Sequence, residues 1–355
     1  MNWKQNINLK KHETLGLDIG SSAIKMVALR KSGRGYSAVA AGITEIAPSG
    51  VDGDRQRANT VKAIRECFAR TKVKRKLAVC GVNGPEVAVR DFELPLLSAE
   101  EIAGAVSLEA SQVCPFPAED SAIDYQLIPN GSDHTRGILV AAMNTLVATK
   151  KQLAKDARLR CVLMDVDGLA LLNCFKGVAN GDEKTETGRT VAILNVGGSH
   201  TTLAIMDTDG RPFVRDMTHA GDEIVRQITA ETGEPTEAIK EILSGDSTAI
   251  DQVFQKSLER ACQKLIADVN ETLRYYTTQG KSASTDRLLV CGGFALAGGF
   301  IELLNSRLGA ECVLWNPFDQ MHCDTNRNYQ DVFARTGPAL AVAAGLAMRS
   351  IQLDS

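Results

Sequence analysis

Three short glycine-containing segments hold the residues best suited to chemistry in this chain. The first, Asp18-Ile19-Gly20-Ser21-Ser22, lies between two alternating apolar runs in LGLDIGSSAIKMVALRK (15–31). That pattern predicts a β-hairpin with the glycine and serines in its turn. Such a turn exposes consecutive backbone N–H groups, and glycine allows the close approach that a phosphate requires. The hydroxyls add donors, Lys25 supplies positive charge, and an acid at a strand end, here Asp18, can hold the water shell of a Mg2+ ion. Taken alone, the segment fits an ordinary hairpin turn with a solvated lysine equally well.

The second segment, Asn195-Val196-Gly197-Gly198-Ser199-His200-Thr201-Thr202, shifts that balance. It lies in TVAILNVGGSHTTLAIMDTDGRPFVRDM (190–217), which reads as strand, glycine turn, strand, Asp-Gly turn, strand. This repeats the logic of residues 15–31 and implies an internal duplication. The third segment follows the apolar strand RLLVC: Gly292-Gly293-Phe294-Ala295-Leu296-Ala297-Gly298-Gly299, leading into the helix GGFIELLNSRL. A Gly-Gly pair there lets backbone lie flat against a base or a ribose. Each segment is a weak signal; two hairpin loops followed by a strand–glycine–helix loop is a specific one.

Other elements must place these loops. YSAVAAGITEI reads as a further strand, and residues 56–70 have the spacing of a charged amphipathic helix. A second block, about 77–160, reads strand–strand–helix–strand–strand–helix. Its strands are LAVCGV, VAVRDFEL, AIDYQLI and GILVAAM, and TLVATKKQLAKDAR is its closing helix. Ser98, with acids in the turn that follows, is a capping box opening the first helix of that block, and Pro115 and Pro117 end it. GDEKTETGR (181–189) is a loop. Helices are predicted at 221–232, 235–244 and 248–280. The almost wholly apolar tail PALAVAAGLAMRSIQ predicts a buried helix.

Bulk properties exclude several classes. The chain has 355 residues, 44% hydrophobic, with a net charge of −3. That size suggests two domains, and the charge gives no global attraction to nucleic acid. Trp3 and Trp315 are isolated and form no stacking platform. Nine scattered cysteines without a CxxC argue against disulfides or zinc and for a reducing cytosol. No GxSxG or HExxH is present, and no apolar run approaches a membrane span. The polar N-terminus MNWKQNINLKKHET does not read as a secretory signal. His200 reads as a turn histidine facing solvent, and the basic run RTKVKRK (70–76) as a solvated loop rather than a contact for acidic lipid.

The three loops together resemble the first phosphate, second phosphate and adenosine motifs of the actin, sugar kinase and DnaK-type chaperone superfamily. Within it the chain is similar to the PilM family, the FtsA-like proteins of type IV pilus systems. That narrower resemblance is carried by LGLDIGSSAIKMVAL, DFELPLLSAEEIAGAVSLEASQVCPFPAEDSAIDYQLI, DVDGLALLNCF and GPALAVAAGLAMR, and covers about residues 14–350. It implies an α/β fold of duplicated actin-like (ribonuclease H-like) domains, bilobed around a nucleotide cleft, with an inserted small α+β module. Residues 14–76 and 161–189 would form the first lobe, 77–160 the module, and 190–335 the second lobe. A C-terminal helix, 336–352, would return to the first lobe.

The resemblance further implies bound ATP and Mg2+. Asp18, Gly20, Ser21, Ser22 and Lys25 would form the first phosphate loop, with Asp18 reaching the metal through water. Gly197, Gly198, Ser199 and Thr201 would form the second, and Gly292, Gly293 and Gly298 the adenosine loop. Asp167 falls where relatives place an acid that positions the attacking water. Asp268 and Glu271 lie on the helix that reaches the ribose, although solvated acids on a helix face fit them as well. The implied partner is the N-terminal cytoplasmic peptide of PilN, and through it the PilN–PilO inner-membrane complex, with self-association possible. The implied location is cytoplasmic, at the inner face of the membrane through partners. Other readings are a small-molecule kinase, an FtsA-like cytomotive protein and a type II secretion relative.

Two departures from the family pattern stand out. The second phosphate loop normally opens with Asp, and here Asn195 stands in its place. Asn can hydrogen-bond a metal-bound water but adds no negative charge, so the expectation is nucleotide binding with at most slow hydrolysis. Ala220, in HAGDE (219–223), replaces a usual glycine and requires a negative φ.

Overall fold

The computed structural model describes residues 13–352 except 33–34, 51, 129–133, 179–189, 246–251, 279–284 and 324–326. The polar N-terminus up to residue 12, the 181–189 loop and both ends of the helix expected over 248–280 therefore lie outside the described residues.

In chain order the main elements are β1 (Thr14–Ile19), β2 (Ala23–Ser32), β3 (Gly35–Glu45), α1 (Gly53–Thr71), β4 (Leu77–Val82) and β5 (Val87–Pro95). Then come α2 (Ala99–Val113), β6 (Ser121–Leu127), β7 (His134–Met143), α3 (Asn144–Asp156), β8 (Arg160–Val166) and α4 (Asp167–Val178). The remainder is β9 (Val191–Val196), β10 (Thr201–Met206), β11 (Pro212–Met217), α5 (Gly221–Thr232), α6 (Thr236–Ser244), α7 (Gln252–Thr278), β12 (Arg287–Cys291), α8 (Phe300–Arg307), β13 (Glu311–Leu314), β14 (His322–Cys323), α9 (Arg327–Thr336) and α10 (Ala341–Gln352).

The chain divides into two compact units: Met1–Gly81, Lys151–Glu183 and Asn316–Ser355 form the first, and Val82–Lys150 with Lys184–Trp315 the second. The first unit holds a six-stranded sheet in the order β14-β3-β2-β1-β4-β8; the second holds a five-stranded sheet, β11-β10-β9-β12-β13. Each sheet is built from an antiparallel three-stranded meander whose first strand pairs in parallel with a later strand, β1 with β4 and β9 with β12. Strands enclosed in this way read as continuous apolar runs, as in TLGLDI and VAILNV, where nearly every residue is buried. The duplication read from the glycine turns is thus a duplication of whole sheets.

The second block of the sequence differs from its expected bounds. LAVCGV, read as the first strand of the module, is β4 and belongs to the first unit's sheet, where Leu15 and Leu17 partner Ala78 and Cys80. Its own sequence carries no signal of which sheet it joins. The independent three-stranded sheet, β5-β7-β6, begins at Val87 and is covered by α2. Leu153 and Ala154 of α3 already lie in the first unit's core. At α2, the Glu101 carboxylate accepts from both the N–H and the hydroxyl of Ser98, at 3.0 and 2.7 Å. Residues 316–335, expected in the second lobe, fall in the first unit, because β14 pairs with β3 and Tyr329 donates to the carbonyl of Arg70.

Helix α10 explains its run of small residues. A Cβ on Gly16 of β1 would stand 1.9 Å from the Ala343 carbonyl oxygen, and one on Gly345 would stand 1.9 Å from that of Ala170. Backbone therefore packs on backbone along this helix, which leaves no room for a larger residue.

Candidate functional site

In the first unit the β1–β2 hairpin pairs Ile19 with Ile24 and Asp18 with Lys25. The turn between them closes with the Gly20 N–H on the Ala23 carbonyl, 3.2 Å, and Ser22 accepts from the Ile46 N–H at 2.8 Å. The Ser21 and Ser22 side chains are exposed. Lys25 Nζ lies 3.0 Å from Asp18 Oδ2, with both side chains largely buried. The two charges expected to serve phosphate and metal separately hold each other in this arrangement. Asp167 opens α4 immediately after β8 and is buried. Its carboxylate lies so close to Gly81 of β4 that a Cβ there would be 2.0 Å from Oδ1. Because Leu17 partners Cys80, Gly81 and Asp18 follow side by side, so Asp18, Lys25 and Asp167 gather at one end of this sheet.

The second unit repeats the hairpin. Val196 pairs with Thr201, Asn195 pairs with Thr202, and the Gly197 N–H donates to the His200 carbonyl at 3.0 Å. The carbonyls of Gly197 and Gly198 accept from the N–H groups of Gly221 and Asp222, at 3.0 and 2.9 Å, which ties the loop to the start of α5. Ala220, just before that helix, is extended at φ −153°, so its side chain is accommodated as required. The third loop adjoins the second. Gly292 has φ +98° and lies against Val196, whose carbonyl oxygen would be 2.4 Å from any Cβ; only glycine meets both demands. The Gly298 N–H donates to the Leu243 carbonyl at 2.8 Å, and space is open around Gly293. Asn195 is buried beside Cys291, its strand partner on β12.

Three site expectations need correcting or sharpening. Thr201 is fully buried, and its hydroxyl donates to the His219 carbonyl at 2.9 Å. Asp268 pairs with Lys264 on its own helix at 3.2 Å, whereas Glu271 is exposed. His200 faces solvent only in part: its ring is half-buried against Gly84, and its Nδ1 is 2.9 Å from Ser199 Oγ. Burial holds the imidazole pKa below its ordinary value.

The structure also assembles residues that sequence reading passed over. Asp216 of β11 accepts from Thr202 Oγ1 through Oδ1 at 2.5 Å and from the Gly84 N–H through Oδ2 at 2.7 Å. Burial raises the carboxyl pKa, against the lowering pull of these two hydrogen bonds and of His200. Gly84 itself has φ +102°. Nothing near Gly84 in sequence points to a residue 132 positions away. Among the described residues no cluster of three or more His, Cys, Asp or Glu side chains could hold a metal ion, and no helix is long and apolar enough to cross a membrane.

A family model described as type IV pilus assembly protein PilM matches residues 16–351. The cell division protein FtsA of Bacillus subtilis (strain 168) is 24% identical over 348 residues, covering 85% of this chain and 77% of FtsA. Among solved structures, a chain of the PilM-PilN type IV pilus biogenesis complex superposes with a TM-score of 0.80 at 23% identity, over 96% of this chain and 99% of that one. MreB5 of Spiroplasma citri bound to ADP gives a TM-score of 0.50 at 13% identity, over 97% and 98%. The fold is the actin-like α/β fold that the loops implied.

Proposed function

This chain belongs to the type IV pilus assembly protein PilM family, and on that premise we propose that it is an ATP-binding scaffold of the pilus inner-membrane complex. Its partner in this reading is the N-terminal cytoplasmic peptide of PilN, which ties it to PilN–PilO and to the inner face of the membrane. The observation that carries the reading is the family match across 16–351, joined to two hairpin loops of matching geometry at the ends of duplicated sheets.

The loop residues suit a nucleotide. Gly20, Ser21, Ser22 and Lys25 on one hairpin, and Gly197, Gly198 and Ser199 on the other, would bind the phosphates. Open space beside Gly293 suits a flat base or ribose, with Gly292 and Gly298 shaping that loop and Asp268 and Glu271 near the sugar. Asp18 would hold Mg2+ through water, which requires its ion pair with Lys25 to loosen. Asp167 would orient water. With Asn195 supplying no charge to the metal shell, hydrolysis is slow or absent.

The inserted module suits a peptide partner. Leu96 and Leu108 are 72% and 63% exposed, on the outside of a module whose inner face packs Phe92, Ile102, Val106, Ala110 and Leu139. Strand β6 is one edge strand of its three-stranded sheet and can add a backbone strand. Titration calorimetry of the purified chain tests both halves, with Mg2+-ATP and with the synthetic PilN peptide as ligands. Binding of each at micromolar or tighter Kd, with little phosphate release, is expected. Absence of binding by either ligand removes the corresponding half of the proposal.

A further inference from the structure

We infer that Asp216 is a positioning residue that couples the second phosphate loop to the inserted module, so that a nucleotide phosphate at Ser199 is felt at the start of β5. This rests on the reading that the loop holds phosphate, and it names how that site would be linked to the partner-binding module.

The geometry is a single transverse row. Cys291 partners Asn195, Asn195 partners Thr202, and Thr202 partners Asp216, each across one strand boundary of the five-stranded sheet. At the end of the row the Asp216 carboxylate leaves the sheet and accepts the Gly84 N–H. Gly84 lies in the turn that leads into the module: its carbonyl accepts from the Val87 N–H at 3.0 Å, and β5 starts at Val87. Glu86, in the same turn, accepts from the Met143 N–H at the end of β7. The turn at Gly84 is thus bonded to both strands at one end of the antiparallel β5–β7 pair.

A second connection reaches the same glycine from the loop itself. The His200 ring covers Gly84 so closely that a Cβ there would be 3.1 Å from Nε2, and the other ring nitrogen meets the Ser199 hydroxyl. With His200 in the tautomer whose Nδ1 accepts from Ser199, a phosphate that takes the Ser199 hydroxyl as donor breaks the Ser199–His200 bond and frees a ring that is packed on Gly84. The Asp216 carboxylate has a donor on each oxygen and so a narrow range of acceptable positions; its two short, directional hydrogen bonds transmit displacement between Thr202 and Gly84 better than an apolar interface of similar size.

The test uses the full chain, Mg2+-ATP and hydrogen exchange in the 82–98 segment, so no partner is needed. In the unchanged protein, saturating ATP should slow exchange there by about fivefold or more, the lower end of ordinary coupling between sites. Asp216→Ala should retain ATP binding and lose that response. Asp216→Asn should keep it, since the amide can accept from Gly84 and donate to Thr202 Oγ1 in the same geometry. A merely structural aspartate predicts a lower melting temperature in Asp216→Ala with the ATP response intact, and that result overturns the inference. ATP binding without any response in the unchanged protein also overturns it and leaves the proposed function standing. Failure to bind ATP at all removes the proposed function, and the inference with it.

Discussion

Asp18 and Lys25 face each other across the first hairpin at 3.0 Å, and the corresponding pair in the second hairpin is Asn195 and Thr202. The duplicated sheets therefore keep the positions and exchange the chemistry, an ion pair on one side and two neutral groups on the other. Removing one partner of the ion pair leaves a largely buried charge uncompensated. Lys25→Met should lower stability by about 3 kcal/mol, and adding Asp18→Asn should recover part of the loss. Urea denaturation of the single and double variants decides this; a double variant as unstable as the sum of its parts would refute the pairing.

Asn195 is the departure with the clearest functional consequence. Asn195→Asp restores a carboxylate to the second phosphate loop, where it would strengthen a metal-bound water shell. Mg2+-dependent phosphate release should rise by about tenfold or more, within the range that positioned charge contributes to phosphoryl transfer. Unchanged release alongside intact ATP binding would show that Asn195 is not what limits hydrolysis.

Packing of α10 on β1 predicts a separate stability effect. Gly16→Ala places a methyl group on the Ala343 carbonyl and should destabilise the chain by about 1–3 kcal/mol, because backbone on both sides must shift. Equal midpoints for the variant and the unchanged chain in denaturant would mean that this contact is not as close as described.

The buried Asp216 carboxyl predicts a pH dependence. Its pKa is raised by burial, so over the interval above the ordinary aspartate value the native state binds more protons than the unfolded one. The stability contributed by this group is full below about pH 4 and falls as pH rises until Asp216 ionises. The titratable group facing it is His200, itself influenced by Lys150 and Glu86. Asp216→Asn should flatten the stability profile in that window. A profile that keeps its slope assigns the titration to other groups.

The hairpins, the third glycine loop, the caps and the apolar tail were legible because each is written in adjacent residues: alternation for strands, glycine for turns, serine and acid for a helix start. His200 was misread for the same reason. A histidine in a turn looks solvated until another segment is laid over it, and here that segment is Gly84. The bond from the Thr201 hydroxyl to the His219 carbonyl, 18 residues on and beyond β11, likewise has no local signal.

The sequence by itself determined the local elements and the duplicated loop pattern, and four longer segments carried the resemblance to the family. Only the tertiary structure decided that LAVCGV joins the first sheet, that 316–335 falls in the first unit, and that Asp216 holds the amide of Gly84. The reason is physical: hydrogen-bonded turns and side-chain periodicity are set by neighbours a few residues apart, whereas strand partners and buried carboxylates are chosen by groups distant in the chain, which leave no mark on the local pattern.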